Sequence, residues 1–193
     1  MHRQRDLLVQ LVAFDTEIRA ASSNPLWGSR SRGLADVHLS LCCPAHLLEA
    51  GSDDDWGPTN SCLFAWGCSD GWNFRFVVLD DQEVGEGPVI GVDPGLGECC
   101  VLGENLHDFL SLGCRCGFDL LVDPACAHQR LYDLLIADGP GGYIEAERYE
   151  AYAQYVQGIL DLLVSRFALK PWEDPRTRRE ELEKKYLHRL KFG

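Results

Sequence analysis

The stretch SCLFAWGCSDGWNFRFVVLDDQEVGEGPVIGVDPGLGECCVLGENLHDFL, residues 61–110, decides how this chain folds. It holds four short apolar runs: Cys62 to Trp66, Phe74 to Leu79, Val89 to Val92 and Cys99 to Leu102. Gly67 to Gly71, Gly85 to Pro88 and Asp93-Pro94-Gly95 separate them. Runs of this length, rich in β-branched and aromatic residues and bounded by Gly and Pro, read as strands joined by turns. Parallel strands need a long crossover, so connections this short favour an antiparallel meander.

Working outward, Val37, Leu39 and Leu41 alternate with His38 and Ser40, the period of a further half-buried strand. Ahead of it, Leu7, Leu11, Phe14 and Ile18 share one helical face, and that helix ends near Ser22-Ser23-Asn24-Pro25. Ala45 to Glu49 reads as a helical turn, followed by the acidic loop Gly51 to Asp55. Downstream, Glu104 opens a helix with Leu106, Phe109, Leu110 and Gly113 on one side. Leu131, Leu134 and Leu135 mark another, closed by Asp138-Gly139-Pro140-Gly141-Gly142. Glu145 to Leu169 carries Tyr152, Val156, Ile159, Leu160, Leu163 and Phe167 at helical spacing. Asp174-Pro175 supplies an N-cap and first turn for a last helix, with Leu182, Tyr186 and Leu190 inward. Its pairs Glu180/Lys184 and Glu181/Lys185 have the favourable i,i+4 order. The expected class is α+β, one antiparallel sheet of about four to six strands flanked by N-terminal and C-terminal helices. A single domain is expected over residues 1–193, with a core over about 37–118 and a C-terminal helical extension over about 124–193.

A chain of 193 residues that is 46% hydrophobic can fill a real core, which excludes disorder as the dominant state. With 18 basic and 30 acidic residues the formal net charge is −12, and it is unevenly spread. Between Arg32 and Arg148 three basic residues stand against 20 acidic ones, a net of −17, whereas residues 151–193 carry nine against six, a net of +3. So acidic a body argues against nucleic acid as partner, because that footprint is a basic patch. It favours a basic protein reached by long-range attraction.

Motifs for chemistry are absent where they would be decisive. The nine cysteines fall as Cys42-Cys43, Cys62, Cys68, Cys99-Cys100, Cys114-x-Cys116 and Cys126, with no C-x-x-C knuckle to close two thiolates on one zinc. Adjacent cysteines on a strand point to opposite faces, so Cys99 and Cys100 do not readily share an ion. Gly85-x-Gly87, Gly95-x-Gly97 and Gly139-x-Gly141 resemble fragments of phosphate loops, but the first lysine of the chain is Lys170 and no Gly-Lys-Ser/Thr follows. Position twelve counted from Asp53 is Phe64, where an EF-hand loop needs Glu. No nucleophile elbow or H-E-x-x-H occurs. Met1 to Ala13 lacks a secretory pattern and nowhere do about 18 apolar residues run together, so a cytoplasmic protein with reduced thiols and no membrane span is expected.

Residues 62–112 resemble the core of the SUKH superfamily, the fold shared by fungal cell-wall-synthesis regulators and many bacterial toxin-immunity proteins. The likeness is carried by Leu63-Phe64-Ala65-Trp66-Gly67, Asp70-Gly71-Trp72-Asn73-Phe74-Arg75-Phe76, Gly87-Pro88-Val89-Ile90-Gly91-Val92, and the Val101 to Leu110 run with its Leu-x-x-Phe-Leu helix. Leu112-Gly113-Cys114-Arg115 and Leu169-Lys170-Pro171-Trp172 continue it, and the N-terminal part departs from the family's usual pattern. The resemblance implies a binding module rather than an enzyme, without cofactor, most readily an immunity protein that neutralises a basic toxin domain such as a nuclease. A scaffold module with a housekeeping partner is the alternative. Asp53, Asp54, Asp55, Asp80, Asp81, Glu83 and Glu86 are the expected contact carboxylates, because carboxylates can occupy a groove built for phosphate. Trp72 is the expected anchor.

Overall fold

The computed structural model describes residues 3–26, 28–42, 57–67, 72–79, 85–119, 121, 126–140 and 144–192. Helix α1 (Arg3–Ala21) leads into a minimal hairpin of β1 (Ser23–Asn24) and β2 (Ser29–Arg30). A 3-10 turn (Gly33–Val37) precedes β3 (Ser40–Leu41), β4 (Ser61–Trp66), β5 (Asn73–Val77), β6 (Val89–Asp93) and β7 (Glu98–Gly103). Helices α2 (Leu106–Gly113), α3 (Leu131–Asp138), α4 (Ala146–Phe167) and α5 (Pro175–Tyr186) follow, with a short 3-10 turn at Leu187–Arg189. Strands β3 to β7 lie side by side in sequence order, every pair antiparallel. The fold is α+β, and the four strands of the 61–110 stretch fall within a residue or two of their expected ends.

Both faces of this sheet are covered, which is why β5 and β6 are buried along their whole length. On the first face, Phe64, Phe74, Phe76, Val89, Cys100 and Leu102 meet Leu11 and Phe14 of α1, Phe109 of α2, and Leu160 and Leu163 of α4. A register shift between Leu63 and Ala65 inserts one extra residue in β4, so Phe64 and Ala65 both face this core. The bulge lets Phe64 stack on Phe76 (4.4 Å between ring centres) and meet the Phe109 ring edge-on at 5.8 Å. On the second face a smaller core joins Val77, Leu79, Ile90, Val92 and Val101 to Leu182 and Tyr186 of α5. As alternation requires, Cys100 packs into the first core and Cys99 against the second.

The turn from β7 into α2 is set by two residues. Gly103 passes so near α2 that a Cβ there would lie 2.5 Å from Phe109 N. Asn105, not Glu104, caps the helix: its side-chain oxygen accepts from Asp108 N at 2.9 Å.

The expected strand over Val37 to Leu41 is corrected by the structure. Val37 closes the 3-10 turn, His38 adopts a left-handed conformation (φ 63°), and only Ser40 and Leu41 pair with β4. Val37 and Leu39 are buried as a strand pattern predicts, but the reversal at His38 brings them there. That turn is pinned by Asp36, a carboxylate only 1% exposed. Its oxygens accept from Asn24 Nδ2 (3.0 Å), Arg32 N (2.8 Å), Arg32 Nε (3.1 Å) and the Tyr155 hydroxyl of α4 (2.8 Å). Charge-assisted bonds on both oxygens make its burial tolerable. The segment Ala45 to Glu49 and the loop Gly51 to Asp55 lie outside the described residues. No helix among the described residues is long and apolar enough to cross a membrane.

Candidate interaction site

The sequence-expected contact residues do not assemble into one described patch. Asp53, Asp54, Asp55, Asp80, Asp81 and Glu83 lie outside the described residues. Trp72 and Glu86 are both half-buried, at opposite ends of β5: Trp72 directly precedes Asn73, while Glu86 stands just before Pro88, whose carbonyl accepts from Val77 N. The strand between them spans about 17 Å at the usual rise. Trp72 lies on the first face with its ring over Gly91, where an added Cβ would come within 3.2 Å of it. Among the described tryptophans, Trp66 at the end of β4 is the one that faces solvent, 41% exposed.

A denser polar arrangement forms where α5 crosses the β7–α2 junction. Glu104 leaves the end of β7 and Asp108 the first turn of α2. Arg178, Lys185 and Tyr186 approach them from α5, and Trp172 from the linker ahead of it. Glu104 Oε1 accepts from Lys185 Nζ and from the Tyr186 hydroxyl (3.1 Å), and Oε2 accepts from Arg178 at 3.2 Å. The same Arg178 nitrogen reaches Asp108 Oδ2 at 3.2 Å, while Asp108 Oδ1 accepts from Trp172 Nε1 at 2.9 Å. The Arg178 guanidinium carbon stands 5.9 Å from the Trp172 ring centre. The Lys185 bond, helped by the Tyr186 hydroxyl and Arg178, holds the Glu104 carboxyl below its usual range despite partial burial. Asp108 and Glu104 in turn hold Arg178 firmly protonated against the opposing effect of burial.

These contacts displace one of the two local pairs expected along α5. Lys185 pairs with Glu104 instead of Glu181, and Glu181 stands 3.6 Å from Arg178 instead. Arg179 pairs with Glu183 at 2.8 Å. Beside the network opens a cleft of about 330 Å3 lined by Trp172, Glu173, Asp174, Thr177, Arg178 and Glu181. Asp174 caps α5 as expected, accepting from Thr177 N at 3.0 Å.

The tail beyond α5 is clasped by backbone-like hydrogen bonds. Asn60 Nδ2 donates to Arg189 O (3.2 Å), Lys191 N donates to Asn60 Oδ1 (2.9 Å), and Thr59 N donates to Lys191 O (2.7 Å). Sequence reading did not single out Glu104, Asp108, Arg178 or Asn60 as functional. The one available signal was the shift of charge from the acidic body to the basic C-terminal segment.

For bond-making chemistry four of the described thiols are poorly placed. Burial pushes Cys99 and Cys114 up to about 11, and Cys100 and Cys116 up to about 12, so they remain protonated at neutral pH. Among the described residues no three His, Cys, Asp or Glu side chains gather to hold a metal ion. Set against protein-family models, curated proteins and solved structures, the chain matches none of them.

Proposed function

We propose that this chain is a SUKH-like, non-enzymatic binding module of the cytoplasm, an immunity protein that neutralises a basic toxin domain by stoichiometric binding. The observation that carries this reading is the segregation of charge on a sheet built in the expected order. Residues 1–174 hold 27 acidic and 11 basic residues, and the element they hold on the second sheet face is the basic α5. Described carboxylates also stand open to solvent on the α3–α4 pair, at Asp133, Asp138, Glu145, Glu147 and Glu150, with Arg148 among them. A field of this sign speeds encounter with a basic protein and repels nucleic acid. The residues behind the family resemblance also share a physical reason to occur together: Trp72 lies over Gly91, Gly103 admits α2, and Phe109 closes the aromatic cluster.

The test is a search for a toxin-like domain encoded beside this chain, and its expression with and without the chain. Rescue of growth together with a stoichiometric complex whose affinity falls as salt rises is the expected result. Absence of such a neighbouring gene, or toxicity undiminished by the chain, overturns the immunity reading.

A further inference from the structure

We infer that α5 and its tail form a displaceable basic strap, and that the sheet face beneath is the docking surface for a basic amphipathic helix of the partner. The inference rests on the basic-partner reading above and assigns it a surface.

The strap differs from the other helices in what holds it. Residues 175–192 carry seven basic and three acidic side chains, a net of +4, against −16 for residues 1–174. Its apolar anchors in the second core are Leu182 and Tyr186, 1% and 7% exposed, one helical turn apart, with Leu190 packed alongside. Arg178 and Lys185 flank those anchors and reach the carboxylates of Glu104 and Asp108. The pattern is that of a basic helix laid in an apolar groove with an acidic rim, a recurring mode of helix recognition. The groove is built by Val77, Leu79, Ile90, Val92 and Val101, none of which belongs to the strap.

Release of the strap leaves the larger core in place, because α1, α2 and α4 pack on the opposite face. The joint is suited to opening as well. Ala168, between α4 and the linker, holds a left-handed conformation (φ 50°) that a residue with a Cβ adopts at a cost. Pro171 and Pro175 bracket the rest of the linker and keep it from continuing either helix. Besides those apolar anchors, the strap is fastened by partly exposed ion pairs and the Asn60 clasp, which salt and competing backbone can replace. A partner helix presenting two apolar residues one turn apart, flanked by arginine or lysine, meets the same groups.

Native-state hydrogen exchange on the full chain tests the strap itself. The amides of Glu181 to Tyr186 are expected to exchange through an opening that leaves Ile90, Val92 and Leu160 protected, and faster at high salt than at low. Exchange of α5 only at the rate of β6 and α4 overturns the strap. Docking is tested with a labelled peptide of residues 172–192, against a scrambled peptide of equal composition. The R178Q/K185Q double variant alters only strap residues, so it raises the open fraction. Its expected effect is about three- to tenfold tighter binding of the native-sequence peptide. Equal affinity for both peptides, or no change in the double variant, overturns the docking surface. A toxin domain that binds wild type and double variant equally well sinks this docking site and leaves the immunity reading standing. An opening strap with no toxin that binds does the reverse.

Discussion

The Tyr155 hydroxyl in α4 donates to Asp36 Oδ2 in the turn before β3, 2.8 Å across a sequence separation of 119 residues. Through this bond the last helix of the main core holds the segment that introduces the edge strand. Tyr155→Phe removes one donor from a buried carboxylate and is expected to cost about 1.5–3 kcal/mol in urea unfolding. Asp36→Ala strands the buried Asn24 donor and takes the acceptor from Arg32 N, and is expected to cost about 3 kcal/mol or more. A loss below about 0.5 kcal/mol for both variants would show that the network is dispensable.

The same carboxylate makes stability depend on acid. Burial acts to raise the Asp36 pKa, but hydrogen bonds from Arg32 N–H, Tyr155, the Arg32 side chain and Asn24 outweigh it, and the carboxyl is held below its usual range. The unfolded chain therefore binds this proton more readily than the folded one. The contribution of Asp36 is complete above the ordinary carboxylate pKa of about 4 and is lost as pH falls through and below it. Unfolding midpoints measured from about pH 6 down to about pH 3 should fall for wild type and fall less steeply for Asp36→Asn. Parallel curves would refute the assignment.

Two glycines should respond oppositely to alanine. At Gly103 the new methyl meets Phe109 N at 2.5 Å, and the backbone of α2 has to move away, so Gly103→Ala is expected to cost about 1–3 kcal/mol or more. At Gly158, inside α4, an added Cβ meets nothing within 4 Å outside the helix's own backbone. Gly158→Ala should add about 0.5–1 kcal/mol by favouring the helix. Thermal melts of the two variants side by side decide the matter.

Cysteine labelling gives a fourth check. In the native chain at pH 7.5, Cys100 and Cys116 should resist iodoacetamide for as long as the fold persists, and label promptly in denaturant. Rapid native labelling of either, located by mass spectrometry, would mean that the thiol is more accessible than its burial allows.

What could be read from sequence follows the range of the forces involved. The strands of residues 61–103 were legible because turn residues and apolar runs are local, and α5 because Asp174-Pro175 is a local start signal. Val37 to Leu41 misled because a left-handed His38 buries Val37 and Leu39 by reversing the chain, and alternation looks the same either way. The α5 ion pairs misled for the opposite reason. Lys185 finds Glu104 across 81 positions, and no local spacing records a partner that distant. The Glu104–Asp108–Arg178–Trp172 arrangement was hidden likewise, since it exists only once α5 lies across the sheet. Trp66 ends β4 and Trp72 directly precedes β5, and of the two only the first faces solvent, a difference that depends on Gly91 leaving room for the second ring.

The shared core of α1 and α4 has a consequence during synthesis. Phe14 and Phe167 meet edge to face at 5.7 Å, and Arg166 reaches Glu17 across 149 positions. A ribosome that has just released Gly103 has delivered every strand of the sheet, yet the helix that seals α1 against it is still unmade. At ordinary elongation rates that gap lasts about 3 to 13 s. Throughout it, Leu160, Leu163 and Phe167 are missing from the larger core, and the apolar side chains they pack with, Phe14 among them, are open to neighbouring nascent chains. A stop codon before α4 should therefore yield inclusion bodies, where one just after Leu169 keeps every buried residue of the larger core.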